Sequence, residues 1–238
     1  ECNQFVQQFN NIKSLENIAI KGIYSHLSCA DEKNALNPNS STQLQREKFK
    51  ELFKRINFDN TQNIKIHLAN SAGMILGKNF HFDMVRVGLS MYGYNPLERI
   101  NKKLFLKPAL FLKAKVTFVR TIEKGIGVSY GNKFVSDRKT KLAVLSIGYA
   151  DGIIRNLSGK ISLIHNKKLY PQVGSITMDQ MMVDITDSND IEVGSTMLLL
   201  GSEGDKSISP IDWADKCNSI PWEILCSFKN RLPRVQVD

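Results

Sequence analysis

The stretch Ile64-Lys65-Ile66-His67-Leu68-Ala69-Asn70-Ser71-Ala72-Gly73 decides the fold class. A short apolar run passes abruptly into polar Asn70-Ser71, a place where a helix can start. The same grammar occurs on both sides of it. Upstream, residues 18–27 are apolar and close on Ser25-His26, with Ser28 and Asp31 just beyond. Downstream, residues 84–87 end at Arg86, followed by Gly88. Helical periodicity fills the gaps. Phe5, Val6, Phe9 and Ile12 share one face, and Phe49, Leu52, Phe53 and Ile56 share another after a loop at Asn37-Pro38-Asn39-Ser40-Ser41. Three short apolar strands alternating with helices predict a parallel sheet covered by helices. In such sheets chemistry collects at the C-terminal strand ends. His26, Ser71 and Arg86 each have an ordinary structural explanation, as a core histidine, a helix cap and a salt-bridge partner. Three consecutive strand ends carrying such groups favour a site.

The texture changes after Pro96. Leu110, Leu112, Ala114, Val116 and Phe118 alternate as in a half-buried strand, with Phe118 on the buried face. Further strands are expected at 142–147, 161–164 and 181–185, and 197–200 closes the series. A turn at His165-Asn166-Lys167 suggests a hairpin without the Asn-Gly signature. Ser209-Pro210-Ile211-Asp212 reads as a capped helix start. The expected division is residues 1–97 for the helix-and-strand part and 98–238 for a mainly β part, giving an α/β plus all-β fold.

Composition bounds the function. The 238 residues carry 32 Lys+Arg against 23 Asp+Glu, a formal charge of +9, with 42% hydrophobic and 23% charged residues. These fractions belong to a globular chain rather than a disordered one. The basic residues are scattered, and their concentrations, Lys102-Lys103 and Lys167-Lys168, are short, so no nucleic-acid stripe is expected. No run of about 18 apolar residues is present, so no membrane span is expected. Cys2, Cys29, Cys217 and Cys226 form no metal or disulfide spacing. A reducing cytoplasm and no metal are the expectation. The P-loop, nucleophile-elbow, zinc-protease and dinucleotide patterns are absent; Gly125-Ile126-Gly127 fails at Tyr130.

Six strings follow one another along the chain: Ile23-Tyr24-Ser25-His26-Leu27-Ser28-Cys29-Ala30-Asp31; His67 to Gly73 above; Met84-Val85-Arg86-Val87-Gly88-Leu89-Ser90-Met91-Tyr92-Gly93; Val128-Ser129-Tyr130-Gly131; Ile147-Gly148-Tyr149-Ala150-Asp151-Gly152; and Val173-Gly174-Ser175-Ile176-Thr177-Met178-Asp179-Gln180. In this order and spacing, with the ending Asn230-Arg231-Leu232-Pro233-Arg234, the chain resembles the alanine racemase family. That resemblance implies a TIM-type (β/α)8 barrel, here its later units, followed by a mainly β domain. It also implies pyridoxal 5'-phosphate as cofactor and a head-to-tail homodimer with shared active sites. The family's Val-Val-Lys-Ala-Asn-Ala-Tyr-Gly string, whose lysine holds the cofactor, and its Lys-x-Asp-Thr-Gly-Met-x-Arg string do not occur. The resemblance therefore reads as the later part of such an enzyme, inactive by itself.

Residue by residue, the resemblance implies that Ser71, Gly88 and Leu89 bind phosphate and that Arg86 faces the pyridine nitrogen with His26 bonded to it. An arginine keeps its proton at any working pH, which leaves the ring nitrogen unprotonated. Tyr130 is implied as a catalytic acid–base group, Met178 and Asp179 as substrate-carboxylate neighbours, and Tyr149 as a residue of the access channel. Asn230 stands where many members have tyrosine, and Phe134 also replaces a frequent tyrosine. Asn230 loosens the pocket and keeps a serine or broad-specificity racemase as an alternative. A non-catalytic relative that binds cofactor or a partner is the second alternative.

Overall fold

The computed structural model describes residues 2–56, 64–98, 100 and 104–237. Lys102-Lys103 lies outside the described residues, as does the Cys2 side chain. The chain divides into two compact units, residues 1–109 and 110–238.

The first unit opens with helix α1 (Cys2–Lys13), whose Phe9 is buried with Ile23, Ile56 and Ile64. Strand β1 (Gly22–Tyr24) is followed by α2 (Ser41–Lys54), which starts where the Ser40 side chain accepts from the Gln43 N–H. Strand β2 (Lys65–His67) then pairs with β1 in parallel, Ile23 opposite Ile66 and Tyr24 opposite His67. This is a strand–helix–strand unit, with α2 as the connection. Helix α3 (Ser71–Leu76) is capped by Asn70, whose side chain accepts from the Gly73 N–H; Ser71 is the first helical residue rather than the cap. A second cluster gathers Leu27, Phe49, Leu68, Ala69, Ala72, Phe80 and Leu97. The expected third strand, 84–87, is not a strand. The segment runs beside β2, and among the described residues its backbone-to-backbone bonds there are Asp83 N–H to Ile66 O and Arg86 N–H to Ala69 O, both 2.9 Å. Two anchor bonds hold it in register without a ladder.

The second unit is built on a sheet of antiparallel pairs. Its strands are β3 (Leu112–Ile122), a separate small hairpin β4 (Gly127–Val128) and β5 (Phe134–Val135), then β6 (Thr140–Leu145), β7 (Ser162–His165), β8 (Lys168–Val173), β9 (Met181–Asp184), β10 (Thr196–Glu203) and β11 (Lys206–Ile208). The order is β11-β10-β3-β6-β9-β8-β7, and β7 also pairs with β10 through Ile164 and Leu198. That last contact closes the sheet on itself. The buried core packed on it includes Val116, Ala143, Leu145, Leu163, Ile164, Met181, Val183, Met197 and Leu199. β11 follows 197–200, so that segment does not close the series. Helices α4 (Pro210–Cys217) and α5 (Pro221–Ser227) complete the unit; Ser209 and Asp212 form the reciprocal cap expected at α4.

Two local departures have physical causes. Phe118 is exposed, not buried, because the pairing of β3 with β6 shifts register between Val116 and Phe118. One extra residue moves every following side chain to the other face. The hairpin at Asn166-Lys167 forms without glycine: both residues take positive φ, 47° and 63°, the geometry of a primed two-residue turn. Among the described residues no helix is long and apolar enough to cross a membrane.

Candidate active site

In the first unit the strand ends converge on Arg86. Its Nη2 donates to Ser25 O at 2.8 Å and to Leu68 O at 3.3 Å; its Nη1 donates to His67 O at 3.3 Å and to His67 Nδ1 at 2.9 Å. His26 Nδ1 lies 3.3 Å from Nη2. A guanidinium only donates, so His67 must accept at Nδ1 and carry its hydrogen on Nε2. His67 is held below the ordinary 6.5, chiefly by burial and then by the positive charge of Arg86. It stays neutral at neutral pH, as its accepting role demands. Tyr24 covers this group: its ring stacks on His67 at 5.3 Å and lies 5.0 Å from the guanidinium carbon. The clamp leaves one edge of Arg86 open. Among the described residues its Nε–H donates to no protein group.

One turn along the segment, the Gly88 N–H donates to Ser71 Oγ at 2.9 Å and the Ser90 N–H to the same oxygen at 3.4 Å. Ser71 is buried. The Leu89 N–H donates to no group among the described residues, and Ser90 Oγ is buried without a partner. A Cβ built on Gly88 would meet nothing within 4 Å. Open space bordered by unspent N–H and O–H donors is what a phosphate monoester requires. The residues present therefore fit the phosphate end of a cofactor, and the free Nε–H of Arg86 fits a neutral ring-nitrogen acceptor.

Thus the structure brings His26 to Arg86 and Ser71 to Gly88. His67 and Ser90 were not singled out as functional in the sequence. His67 ends β2 and lies inside a quoted string, so its strand-end place was the available signal. Ser28 serves locally, bonding Gln45 Oε1 through both its N–H and hydroxyl.

In the second unit, Tyr130, Tyr149 and Met178 are all exposed, Tyr130 by 73%. Tyr130 follows Ser129, which is held at φ 66°, ψ −178°, a region that costs a non-glycine residue about 1–3 kcal/mol. Two crossed bonds over-determine that turn: Ser129 Oγ to Ser175 O at 2.7 Å and Ser175 Oγ to Tyr130 O at 3.0 Å. The same 174–180 segment continues to Tyr149. The Tyr149 N–H donates to Thr177 O at 2.9 Å and the Ala150 N–H to Met178 O at 3.0 Å. The Met178 N–H donates to no protein group among the described residues. The Asp179 carboxylate is engaged by Arg231 Nη2 at 2.5 Å, while Arg231 Nε donates to Asp151 at 3.0 Å. Arg231 is thereby held even more firmly protonated, by the Asp179 bond first and by the charge of Asp151 next. Asn230 is exposed.

The family model described as the C-terminal domain of alanine racemase matches residues 109–236, and that of the N-terminal domain matches residues 1–96. The chain belongs to the alanine racemase family. An alanine racemase of Prochlorococcus marinus is 50% identical over 236 residues, covering 99% of this chain and 60% of that relative. One from Synechocystis is 44% identical over 227 residues, 95% of this chain and 60% of the relative. The crystal structure of alanine racemase from Bartonella henselae with covalently bound pyridoxal phosphate superposes with a TM-score of 0.84 at 32% identity, over 100% of this chain and 61% of that one. The enzyme from E. faecalis gives 0.86 at 29%, over 98% and 61%. The fold is accordingly part of a TIM-type (β/α)8 barrel followed by a mainly β domain. The chain spans about 60% of the length of the curated alanine racemases it matches.

Proposed function

We propose that this chain supplies the later barrel units and the C-terminal domain, divided near residue 97, of a pyridoxal-phosphate-dependent racemase that interconverts L- and D-alanine. The observation that carries this reading is the Arg86 clamp: four protein acceptors take up its Nη1 and Nη2 hydrogens and leave Nε–H free, and Leu89 and Ser90, close behind in the chain, keep unspent donors. Ser71, Gly88 and Leu89 would hold the phosphate, with Arg86 against the ring nitrogen and His26 and His67 steadying Arg86. The bound cofactor supplies an electron sink that acidifies the substrate α-proton. Because Arg86 does not protonate the ring nitrogen, that sink is weak, which suppresses side reactions while permitting proton exchange.

Inversion at a carbon needs a proton removed on one face and delivered on the other. Tyr130 Oη serves one face. A lysine in the family string that this chain does not contain serves the other. The free N–H of Met178 receives the substrate carboxylate, with Asp179 beside it, and Tyr149 borders the access channel. We place Tyr130, Met178, Asp179 and Tyr149 in the active site of a second copy, in a head-to-tail homodimer of the cytoplasm. Asn230, short and exposed at the position where the resemblance implies a tyrosine in many members, favours serine racemisation as the second reading.

The test joins to this chain the segment of the Prochlorococcus relative that carries the family's cofactor-lysine string. The chimaera should bind pyridoxal phosphate and convert L- to D-alanine, and Tyr130→Phe should reduce racemisation by about two to four orders of magnitude. Exchange of the α-proton should survive better from one enantiomer than from the other. A folded, cofactor-loaded chimaera inert toward alanine overturns the reading; faster turnover of serine selects the alternative.

A further inference from the structure

Three segments of the second unit meet at one guanidinium. The turn Gly148–Gly152 carries Tyr149, residues 177–180 carry Met178, and the C-terminal stretch carries Arg231. Backbone bonds already lay the first two side by side, and they lie closer than most chains permit. A Cβ on Gly148 would stand 2.2 Å from Thr177 O and 2.3 Å from Met178 O, so only glycine allows this approach. Asp151, its side chain 8% exposed, accepts the Gly148 N–H on one oxygen at 2.9 Å and Arg231 Nε on the other at 3.0 Å. Arg231 Nη2 reaches across to Asp179, the residue after Met178. The fork therefore spans two carboxylates on different segments instead of gripping one.

An exposed pair such as Arg231–Asp179 contributes little alone. Asp151 changes that balance: its carboxylate is buried and tolerates loss of its cation poorly. The guanidinium is thus fixed at its Nε edge, and its Nη2 edge holds the Met178–Asp179 turn at a set distance from Tyr149.

We infer that Arg231 is a positioning residue: through Asp151 and Asp179 it locks the Met178 turn against the Tyr149 turn and so sets the direction of the free Met178 N–H toward a substrate carboxylate. The role of that N–H rests on the racemase reading; the lock itself does not. Arg231 touches no reacting atom, so its loss weakens substrate capture more than turnover.

The experiment has two arms. In the 238-residue chain, hydrogen exchange is followed at the Tyr149 and Ala150 amides, which bond to residues 177 and 178, and at core-strand amides of Leu163 and Leu199 for reference. Arg231→Gln should speed exchange at the first pair by about tenfold while leaving the reference amides unchanged. Arg231→Lys keeps the charge but cannot span both carboxylates, so it should fall between. In the chimaera, Arg231→Gln should raise KM for alanine by roughly tenfold with kcat within about threefold. Unchanged exchange at Tyr149 and Ala150 overturns the lock. Loosened exchange with unchanged KM, or a loss confined to kcat, overturns the substrate-positioning role. If the wild-type chimaera does not racemise alanine, the racemase reading fails while the exchange comparison still decides the lock.

Discussion

His67 shows how much one side chain can decide. Its ring edge meets an obligate donor, Arg86, its face stacks on the Tyr24 ring, and two causes depress its proton affinity: burial first, the Arg86 charge second. The two are separable. Arg86→Met should raise the His67 value by removing the charge, yet leave it below 6.5 because burial remains. A ring-carbon NMR titration reads this directly, and a value at or above 6.5 in the variant would show that burial is not the larger cause. The sign for stability follows. A folded value below 6.5 means the unfolded chain binds the proton more readily, so lowering the pH through 6.5 penalises the native state until the folded value is passed. Above 6.5 the penalty is absent. Nothing in the sequence separated His67 from His26 as the closer partner of Arg86; the 2.9 and 3.3 Å distances do.

Elements are held in place by contacts of short reach. The β7–β8 turn is tied to residues 188–190: Asp190 accepts from Ser188 Oγ at 2.7 Å and from Asn166 Nδ2, with His165 Nε2 at 3.8 Å. These bonds, Ser188 first, lower the Asp190 value from the ordinary 3.8 to about 2. A depressed carboxylate stabilises the fold above its unfolded value and loses that contribution as pH falls from 3.8 toward 2. Asp190→Asn should therefore lower the urea midpoint at pH 7, and the gap to wild type should close below about pH 2. A gap independent of pH would contradict the assignment. At the Tyr149 turn the constraint is steric. Gly148→Ala sets a methyl against two carbonyl oxygens and should cost about 1–3 kcal/mol, measured by denaturant unfolding. A neutral result would mean the two turns separate freely.

The whole chain has two cores of unequal completeness. Residues 110–238 surround a closed set of strands, with β7 returning to β10. Residues 1–109 contain, among the described residues, only the two-stranded parallel pair β1–β2, flanked at β2 by the non-strand segment ending in Arg86, too few strands for independent stability. Expressed alone, residues 110–238 should show a β-type circular dichroism spectrum and one cooperative thermal transition. Residues 1–109 alone should associate or lack a sharp transition. A molten 110–238 piece would show that its closed sheet depends on the first unit.

What the sequence by itself determined was periodic or local. Helices α1 and α2, the strand ends at His26 and Ser71, the α4 cap and the family strings are all properties of neighbouring residues, because side-chain spacing and capping act within a few positions. The near absence of a ladder at 84–87, the register shift that exposes Phe118, the closure of β7 on β10 and the Arg231 fork were decided only by tertiary structure. Each depends on a partner far along the chain: Ile66 and Ala69 for the first, Val144 and Leu145 for the second, Leu198 for the third, Asp151 and Asp179 for the last. A hydrogen bond between residues 80 apart leaves no periodicity to read, since its geometry is set by the packing of everything between them.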